Sequence, residues 1–329
     1  MPLQPWLGIE PTEELRALYD QIANFIDRLD ALSALHNCQP NLRSRLGFDI
    51  LPLVAFPMLW QLAEGDAVDR RRTALSGPLY TSNDFPWPRL STYAAGKRIE
   101  AAGFCEPLFQ IETSLISQVS GFDFGDSLIQ VWMDDQNAIV RSIPGKIVRD
   151  ISPSAISEDI RTFFSMGEPD DRNTYREWPE GENSAPWLSS GYAFAGLGRP
   201  FHEYPDLIDH FLDNLGGFGI PTNVVTDDAK AEALSLGYRL LALDGVEIKT
   251  AMPVVAKSTS NDWIASGSLF GRFRSVQEES SDIFVDDLAL PIMDVGNHDP
   301  LFWWNYGDAQ LLVPADEPFS IMAFEWSTS

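Results

Sequence analysis

The stretch SLIQVWMDDQNAIVRSI, residues 127–143, contains two short β-rich runs that meet at a polar turn. Apolar and polar residues partly alternate in SLIQVWMD and in NAIVRSI, and Asp135 and Gln136 separate the two runs. This arrangement is typical of neighbouring antiparallel strands joined by a tight connection. The stretch therefore predicts a β-hairpin, and the rest of the chain can be compared with it.

Similar runs lie on both sides of the predicted hairpin. Strands are predicted in EPLFQIET (106–113), at 237–248 and 262–276, and in PFSIMAFEWS (318–327). Helices and strands do not alternate regularly, which argues against a chain of βαβ units. We therefore expect an α+β fold with a largely antiparallel β-sheet.

The N-terminal part of the chain has a helical pattern. Residues 11–36 predict a helix, because acids follow Thr12 in the first turn and apolar side chains recur every three or four residues, at Leu15, Leu18, Ile22, Phe25, Leu29 and Leu32. LPLVAFPMLWQLAEG (51–65) is interpreted as a second, proline-interrupted helix packed on the first. The sequence thus predicts an N-terminal helical segment at 1–70 and an α+β domain at 71–329. A further short helix is expected in YPDLIDHFLDNLGGFG (204–219), after a polar loop at 166–190.

The chain carries a large excess of negative charge. It has 48 Asp and Glu against 23 Lys and Arg, a formal net charge of −25, and no Lys or Arg from Ser275 to Ser329. Such a protein repels nucleic acid and anionic membranes and attracts a basic partner. The alternative interpretation is that the acids only keep the protein dissolved.

Segments that would direct the chain to a membrane or out of the cell are not recognisable. The most apolar stretch, residues 48–63, is too short to span a bilayer and contains Asp49, Pro52 and Pro57. The N-terminus has no pattern of a secretory signal, and the two cysteines, Cys38 and Cys105, do not form a disulfide framework. We expect a cytoplasmic protein.

A search for catalytic motifs finds none that is specific. There is no G-x-S-x-G, H-E-x-x-H, paired C-x-x-C or Walker sequence, so no catalytic residue and no cofactor is predicted. His202, Asp206 and His210 would line up as metal ligands on one helix, but Pro205 is expected to start that helix after His202, and no metal site is predicted. The pair Asp134–Asp135 is a weaker candidate for acid–base chemistry, and Cys105 is expected to be a buried thiol.

One internal repeat is suggested by two Gly-Asp pairs. Gly125-Asp126 leads into SLIQVWMDD, and Gly307-Asp308 leads into AQLLVPADE. Each pair precedes an apolar run that contains a glutamine, Gln130 or Gln310, and then an acidic turn. The two stretches suggest a duplicated strand unit.

Several motifs together resemble the YwqG-like family of bacterial proteins. They are GPLYTSNDFPWPR with its Trp-Pro ending, EPLFQIETSLI, GDSLIQVWMD, and the closing NYGDAQLLV and FSIMAFEWS, which together cover roughly residues 75–329. The spacing between Asp308 and Gln310 is shorter than in the family pattern, FHEYPDLI matches only loosely, and the N-terminal helices are an addition. The resemblance implies an α+β fold and transfers no catalytic residue.

The resemblance also implies a biological context. Members resemble immunity proteins encoded beside secreted toxins, such as nuclease effectors of type VI secretion. A nuclease needs basic residues to bind phosphates, so a carboxylate-rich inhibitor can imitate the nucleic-acid backbone and associate rapidly. The leading hypothesis is an immunity protein that blocks the basic active-site region of a toxin, most simply a DNase, without chemistry of its own.

Two acidic segments are the candidate toxin-binding sites. The first is QEESSDIFVDD (277–287), with Glu278, Glu279, Asp282, Asp286 and Asp287, and the second is the loop at 168–182, with Asp170, Asp171 and Glu180. An exposed aromatic residue is expected as the anchor, and Trp303 and Trp304 are candidates. The alternatives are a domain that binds a small molecule of unknown identity and a metal-dependent enzyme.

Overall fold

The computed structural model of the protein describes residues 12–36, 54–94, 97–120, 123–134, 137–165, 188–198, 200–202, 225–243, 263–271, 289–295, 309–314 and 323–326. The helices in these ranges are α1 (Glu13–Leu35), α2 (Thr113–Ser120), α3 (Gly145–Asp150), α4 (Glu158–Ser165) and α5 (Asp227–Leu243). The strands are β1 (Val54–Glu64), β2 (Ala74–Leu75), β3 (Arg89–Ala94), β4 (Lys97–Phe104), β5 (Glu106–Glu112), β6 (Ser127–Asp134), β7 (Asn137–Pro144), β8 (Ser190–Leu197), β9 (Phe201–His202), β10 (Trp263–Phe270), β11 (Ala289–Val295), β12 (Ala309–Pro314) and β13 (Ala323–Trp326). The protein therefore has the expected α+β fold, with a helix before a large sheet.

Helix α1 follows the sequence prediction closely. The hydroxyl oxygen of Thr12 accepts a hydrogen bond from the backbone N–H of Leu15 at 3.2 Å, which satisfies one of the free donors of the first turn. The apolar stripe is buried from Leu15 to Leu29, but Leu32 is 43% exposed. The helix is thus covered along most of its length and left open towards its C-terminal end.

Ten strands form one continuous antiparallel sheet in the order β13-β12-β11-β10-β1-β8-β2-β5-β6-β7, and β9 pairs with the start of β1. The predicted hairpin is confirmed as β6 and β7, in which Ser127 pairs with Pro144 and Asp134 with Asn137. Strands β3 and β4 form a separate two-stranded sheet. Strand predictions are also confirmed for β5 and, within their described residues, for β10 and β13.

The large sheet curls until its two ends meet. The rings of Phe109 in β5 and Phe324 in β13 lie 5.9 Å apart, although six strands separate β5 from β13 in the sheet order. The two edge strands, β7 and β13, approach within 8 Å between Cα atoms. Both ends of the sheet consequently share one apolar core, which also contains Trp60 of β1.

Both faces of strand β6 are covered. Ile129, Val131 and Met133 enter the main core, whereas Trp132 enters a smaller core in which its ring lies 4.9 Å from that of Trp87. Because successive side chains of a strand point to opposite faces, Gln130 lies on the side of Trp132. This second face is the one that carries the polar cluster described below.

The prediction of a second helix at 51–65 is wrong, because residues 54–64 form strand β1. β1 lies in the middle of the sheet with β8 on one side and β10 on the other. An apolar run that is buried between two strands has no helical period to distinguish it, so its composition was misleading. Pro57 is tolerated where the register with β10 shifts between Pro57 and Leu59.

The prediction of a strand at 237–248 is also wrong for its described part, since α5 extends from Asp227 to Leu243. The helix begins with Asp227 and Asp228 in its first turn, and the Thr226 hydroxyl oxygen accepts from the Ala229 N–H at 3.2 Å. These start signals lie well before Gly237. The residues expected to form a helix at 204–219 lie outside the described ranges, as do residues 166–187 of the loop expected at 166–190, whose last residue, Ser190, begins β8.

The sheet contains residues from both sides of the boundary predicted near residue 70, because β1 pairs with β8, β9 and β10.

Within the described ranges, none of the helices has the length and hydropathy needed to traverse a lipid bilayer.

Candidate functional site

Among the described residues, a dense polar cluster lies where strands β5 and β6 support the segment 76–88. Gln110 and Gln130 are register partners on these strands, and both are fully buried. The side-chain oxygen of Gln110 accepts from the Tyr80 N–H and from the Gln130 amide, both at 2.9 Å. The Gln130 amide also donates to the Tyr80 carbonyl at 2.9 Å. Two glutamines therefore bind both backbone groups of Tyr80, as a neighbouring strand would.

Arg141 on β7 extends this cluster by one strand. Its Nε donates to the side-chain oxygen of Gln130 at 2.7 Å, and its Nη1 donates to the Pro86 carbonyl at 2.7 Å. The guanidinium lies 5.1 Å from the centroid of the Trp132 ring, a favourable cation–π distance. Burial lowers the pKa of Arg141 to about 10, so the side chain is still charged at neutral pH.

Arg70 holds the other half of the same segment. It donates from Nε and Nη2 to the Leu79 carbonyl at 2.9 and 2.6 Å, from Nη2 to the Thr81 hydroxyl at 2.8 Å, and from Nη1 to the Ser154 carbonyl at 2.6 Å. Burial lowers its pKa to about 10 as well. We name Arg70, Gln110, Gln130 and Arg141 the arginine–glutamine clamp. Its donors bind backbone carbonyls of the segment 76–88 and of Ser154, the Thr81 hydroxyl and the glutamine side chains of the clamp itself, so the clamp fixes this segment on the sheet.

The opposite end of the sheet has a related polar pair. Gln310 of β12 is buried, and its amide donates to the Asp294 carboxylate on β11 at 3.3 Å. Gln310 has a register partner on the strand on each side of it. Gln130 has the same arrangement, with Gln110 on one side and Arg141 on the other. Both glutamines of the suggested internal repeat therefore lie on the middle strand of a three-stranded unit at one end of the sheet.

The first Gly-Asp pair stabilises the turn before β6. The Asp126 carboxylate accepts two hydrogen bonds from Arg149, at 2.9 and 2.8 Å, and these bonds lower the pKa of Asp126. A side chain at Gly145, the first residue of α3, would come within 2.0 Å of that carboxylate. The motif thus joins the start of β6 to helix α3. The second pair, Gly307-Asp308, lies outside the described residues.

Candidates for acid–base chemistry and for metal binding are not assembled in the described part of the chain. Asp134 accepts a hydrogen bond from the Ser91 N–H at 2.8 Å and another from its hydroxyl, which fixes strand β3; Asp135 is not among the described residues. In those residues no group of three or more His, Cys, Asp or Glu is suited to hold a metal.

The helical alignment considered for a metal site does not form. His202 lies in strand β9, and Asp206 and His210 lie outside the described residues. Cys105 is a buried thiol, as expected, and its S–H donates to the Arg89 carbonyl at 3.3 Å.

The predicted toxin-binding acids lie outside the described residues, as do Trp303 and Trp304. These acids are Glu278, Glu279, Asp282, Asp286 and Asp287 of the first segment and Asp170, Asp171 and Glu180 of the second. The strands that flank the two segments are nevertheless described. The first segment connects β10 to β11, and the second leads from α4 into β8.

These flanking strands attach the two segments at opposite ends of β1. Phe270, at the end of β10, pairs with Ala55, whereas Ser190, at the start of β8, pairs with Glu64. Ala55 and Glu64 are nine positions apart, or about 30 Å along a strand. The attachment points of the two candidate sites are therefore separate.

No model of a known protein family matches the sequence, and no protein of curated function matches it. The resemblance to the YwqG-like family therefore stays a prediction from the motifs themselves. The structure adds a physical role to several of them, because Trp87, Gln110, Gln130 and Asp126 all take part in the contacts described above.

Proposed function

We propose that this protein is an immunity protein that binds a basic toxin, most simply a DNase effector, in the cytoplasm and covers its substrate site without catalysing a reaction. The observation that carries the proposal is the acid excess, −25 overall and uninterrupted by Lys or Arg from Ser275 to Ser329. A nuclease must present cations to phosphates, and a carboxylate-rich surface competes for the same cations. The proposal includes the acids of 277–287 as the main contact and those of 168–182 as a second one.

The described polar clusters fit a protein that acts by contact. The arginine–glutamine clamp, Asp126 and Asp134 direct their hydrogen bonds to the protein's own backbone and side chains. A continuous sheet to which acidic connections are attached at both ends of its central strand β1 is a suitable support for a steered protein–protein association. Charge accelerates the encounter of the two proteins, and apolar contacts then lengthen the life of the complex.

The test is to purify the tagged protein from its native cell and identify any partner present in equal amount. The expected result is a basic protein that cleaves DNA and that loses this activity when one equivalent of the acidic protein is added. Increasing salt slows the association, because screening weakens the attraction between exposed charges. A preparation without a partner, or a partner whose activity is unchanged, contradicts the proposal; ligand and metal screens would then address the alternative functions.

A further inference from the structure

The continuous sheet contains the same five-strand arrangement twice. In chain order the first series is β1, β2, β5, β6 and β7, and the second is β8, β10, β11, β12 and β13; strands β3, β4 and β9 lie outside this pattern. The second to fifth strands of each series are neighbours in that order. The first strand of each series pairs with the second strand of the other, β1 with β10 and β8 with β2. The two halves of the sheet therefore have matching connections, with their first strands exchanged.

An unusual backbone conformation recurs where the second strand of each series ends. Ser76 and Gly77 follow β2 with φ angles of 55° and 77°, and Phe270 and Gly271 lie at the end of β10 with φ angles of 58° and 106°. Positive φ is uncommon for residues other than glycine. In the described part of the chain, Ser76 and Phe270 are the two non-glycine residues that adopt it. The chain therefore leaves β2 and β10 through turns of the same kind.

The third strands of the two series also correspond. The pairing of β5 with β6 shifts register just after Pro107, and the pairing of β11 with β12 shifts just after Pro291. Gln110 and Asp294 each lie three residues after that proline, and each pairs with the residue two positions before the positive-φ turn. Gln110 on β5 is therefore equivalent to Asp294 on β11. These agreements support the duplicated strand unit that the sequence suggests.

The equivalent side chains form the same hydrogen bond. At the first end of the sheet, the Gln130 amide donates to the side-chain oxygen of Gln110 at 2.9 Å. At the second end, the Gln310 amide donates to the carboxylate of Asp294 at 3.3 Å. All four side chains are buried. An amide is thus replaced by a carboxylate, but the oxygen that accepts the hydrogen bond is kept.

The backbone that the first pair holds has a counterpart in the second half of the sequence. The first pair binds the N–H and the carbonyl of Tyr80. The stretches GPLYT (77–81) and GRFRS (271–275) both start with the positive-φ glycine and have an apolar residue third and a hydroxyl residue fifth. The fourth position is Tyr80 in the first stretch and Arg274 in the second, so Arg274 corresponds to Tyr80.

The connection from β10 to β11 is long enough to supply this counterpart. It comprises residues 272–288, whereas antiparallel neighbours can be joined by about two to five residues. At the first end, the segment that follows β2 is also longer than a hairpin needs, and it crosses the Gln110–Gln130 pair before the chain enters β5.

We infer that Asp294 and Gln310 form a second clamp for the protein's own chain, in which the Asp294 carboxylate accepts the backbone N–H of Arg274 and the Gln310 amide donates to its carbonyl. The segment is tethered at Gly271, three residues before Arg274, so its effective concentration at the pair is high. The acidic segment proposed as the main toxin contact begins three residues further on, at Gln277. The two side chains would therefore be positioning residues for that contact; this consequence rests on the proposed function, whereas the clamp itself does not.

Hydrogen–deuterium exchange of the full chain, followed by mass spectrometry of peptides, tests the clamp. In the unchanged protein, residues 272–276 should exchange at least about tenfold more slowly than an unstructured chain, because hydrogen-bonded amides are protected. Asp294→Leu should remove most of this protection and leave residues 79–82 unchanged. Gln110→Leu should have the reverse effect, so each variant is the control for the other. Asp294→Asn should keep the protection, since an amide oxygen is the acceptor at the first end.

Two outcomes of this experiment overturn the inference. The first is exchange of residues 272–276 at the rate of an unstructured chain in the unchanged protein. The second is exchange in Asp294→Leu that is unchanged at 272–276, or that increases equally at 79–82.

Two proline substitutions test the same hydrogen bond without changing a strand. Arg274→Pro removes the backbone N–H that the Asp294 carboxylate accepts, and it should lower the melting temperature by about 4 °C. Arg272→Pro is the matched control, because it removes the same charge at the position that corresponds to Pro78. This control should melt like the unchanged protein. Equal melting temperatures of the two variants overturn the inference.

Neither measurement needs the toxin. Protection of residues 272–276 in a protein that has no toxin partner overturns only the immunity function. Inhibition of a toxin by a protein whose residues 272–276 are unprotected overturns only the second clamp.

Discussion

Arg70 and Arg141 keep their charge in surroundings where a guanidinium is costly to bury. Their contacts are mainly carbonyl, amide and hydroxyl oxygens, which compensate for lost water with directed hydrogen bonds. The planar guanidinium of arginine, whose N–H donors are fixed in a fork, binds several oxygens at once better than the ammonium group of lysine does. Each arginine thereby links strands to a turn-rich segment that has little regular structure of its own.

Replacing Arg141 by Met should lower the free energy of unfolding by about 3 kcal/mol, because hydrogen bonds from a charged donor contribute about 1.5–3 kcal/mol each and the acceptors remain in the protein. Arg141→Lys should retain part of this stability, since it keeps the charge but loses the fork. Urea unfolding measures both effects. Arg161→Met, at an exposed position of α4, is the control and should change stability by less than about 0.5 kcal/mol. Equal losses at 141 and 161 would contradict the role of the clamp.

At the scale of single residues, the sequence carries a visible signal for only one half of the clamp, and no contact was predicted from it. Gln110 and Gln130 stand out because each interrupts an apolar strand. Arg70 and Arg141 do not, since their acceptors are backbone carbonyls that any sequence provides. Pro86 and Arg141 are also 55 residues apart, so only the folded chain brings them together.

At the scale of elements, prediction depended on whether local signals were present. Helix α1 and the β6–β7 hairpin have both a clear period and a clear boundary, and both were predicted correctly. β1 lacks a period because its apolar residues follow one another, so that neither a helical spacing nor the alternation of a strand can be recognised. The candidate acidic segments were predicted from composition alone. The described strands that flank them show that the two segments are attached at opposite ends of β1.

This separation leads to a prediction about association with the basic partner that the proposed function requires. Replacing Glu278, Glu279 and Asp282 by Lys should slow association about tenfold at low salt and weaken its salt dependence. The matched variant with Lys at Asp170, Asp171 and Glu180 reverses the same number of charges. Its effect should be smaller, because the proposal makes residues 277–287 the main contact and the strand ends to which the two segments are attached lie about 30 Å apart.

Stopped-flow measurements over a range of salt concentrations compare the two variants. Unchanged kinetics of the first variant at low salt would contradict the assignment of residues 277–287 to the contact. Equal slowing by both variants would mean that net charge, and not one face, controls the association.

At the scale of the whole molecule, the sheet curls so that its two edge strands, β7 and β13, lie close together. The loss of β13 should therefore also destabilise the apolar core that it shares with β5. Removal of residues 323–329 should lower the free energy of unfolding by at least about 3 kcal/mol, because deleting a buried aromatic side chain such as Phe324 alone costs about that much. A chain that lacks only 327–329 is the control and should melt like the full protein. If the longer deletion prevents folding, Phe324→Ala in the complete chain measures the same contact. A normal melting temperature for that variant would contradict closure through β13.

The central position of β1 has a consequence for how the protein is made. Residues 54–64 leave the ribosome early, but β8 and β10 follow only at 190–197 and 263–270. At about 5–20 residues per second, this apolar stretch waits roughly ten to forty seconds for its second neighbour. We expect this segment to be prone to aggregation until its second neighbour is made. If the proposed function is correct, a cell under attack would need a stock of finished protein, because the centre of the sheet is completed only late in synthesis.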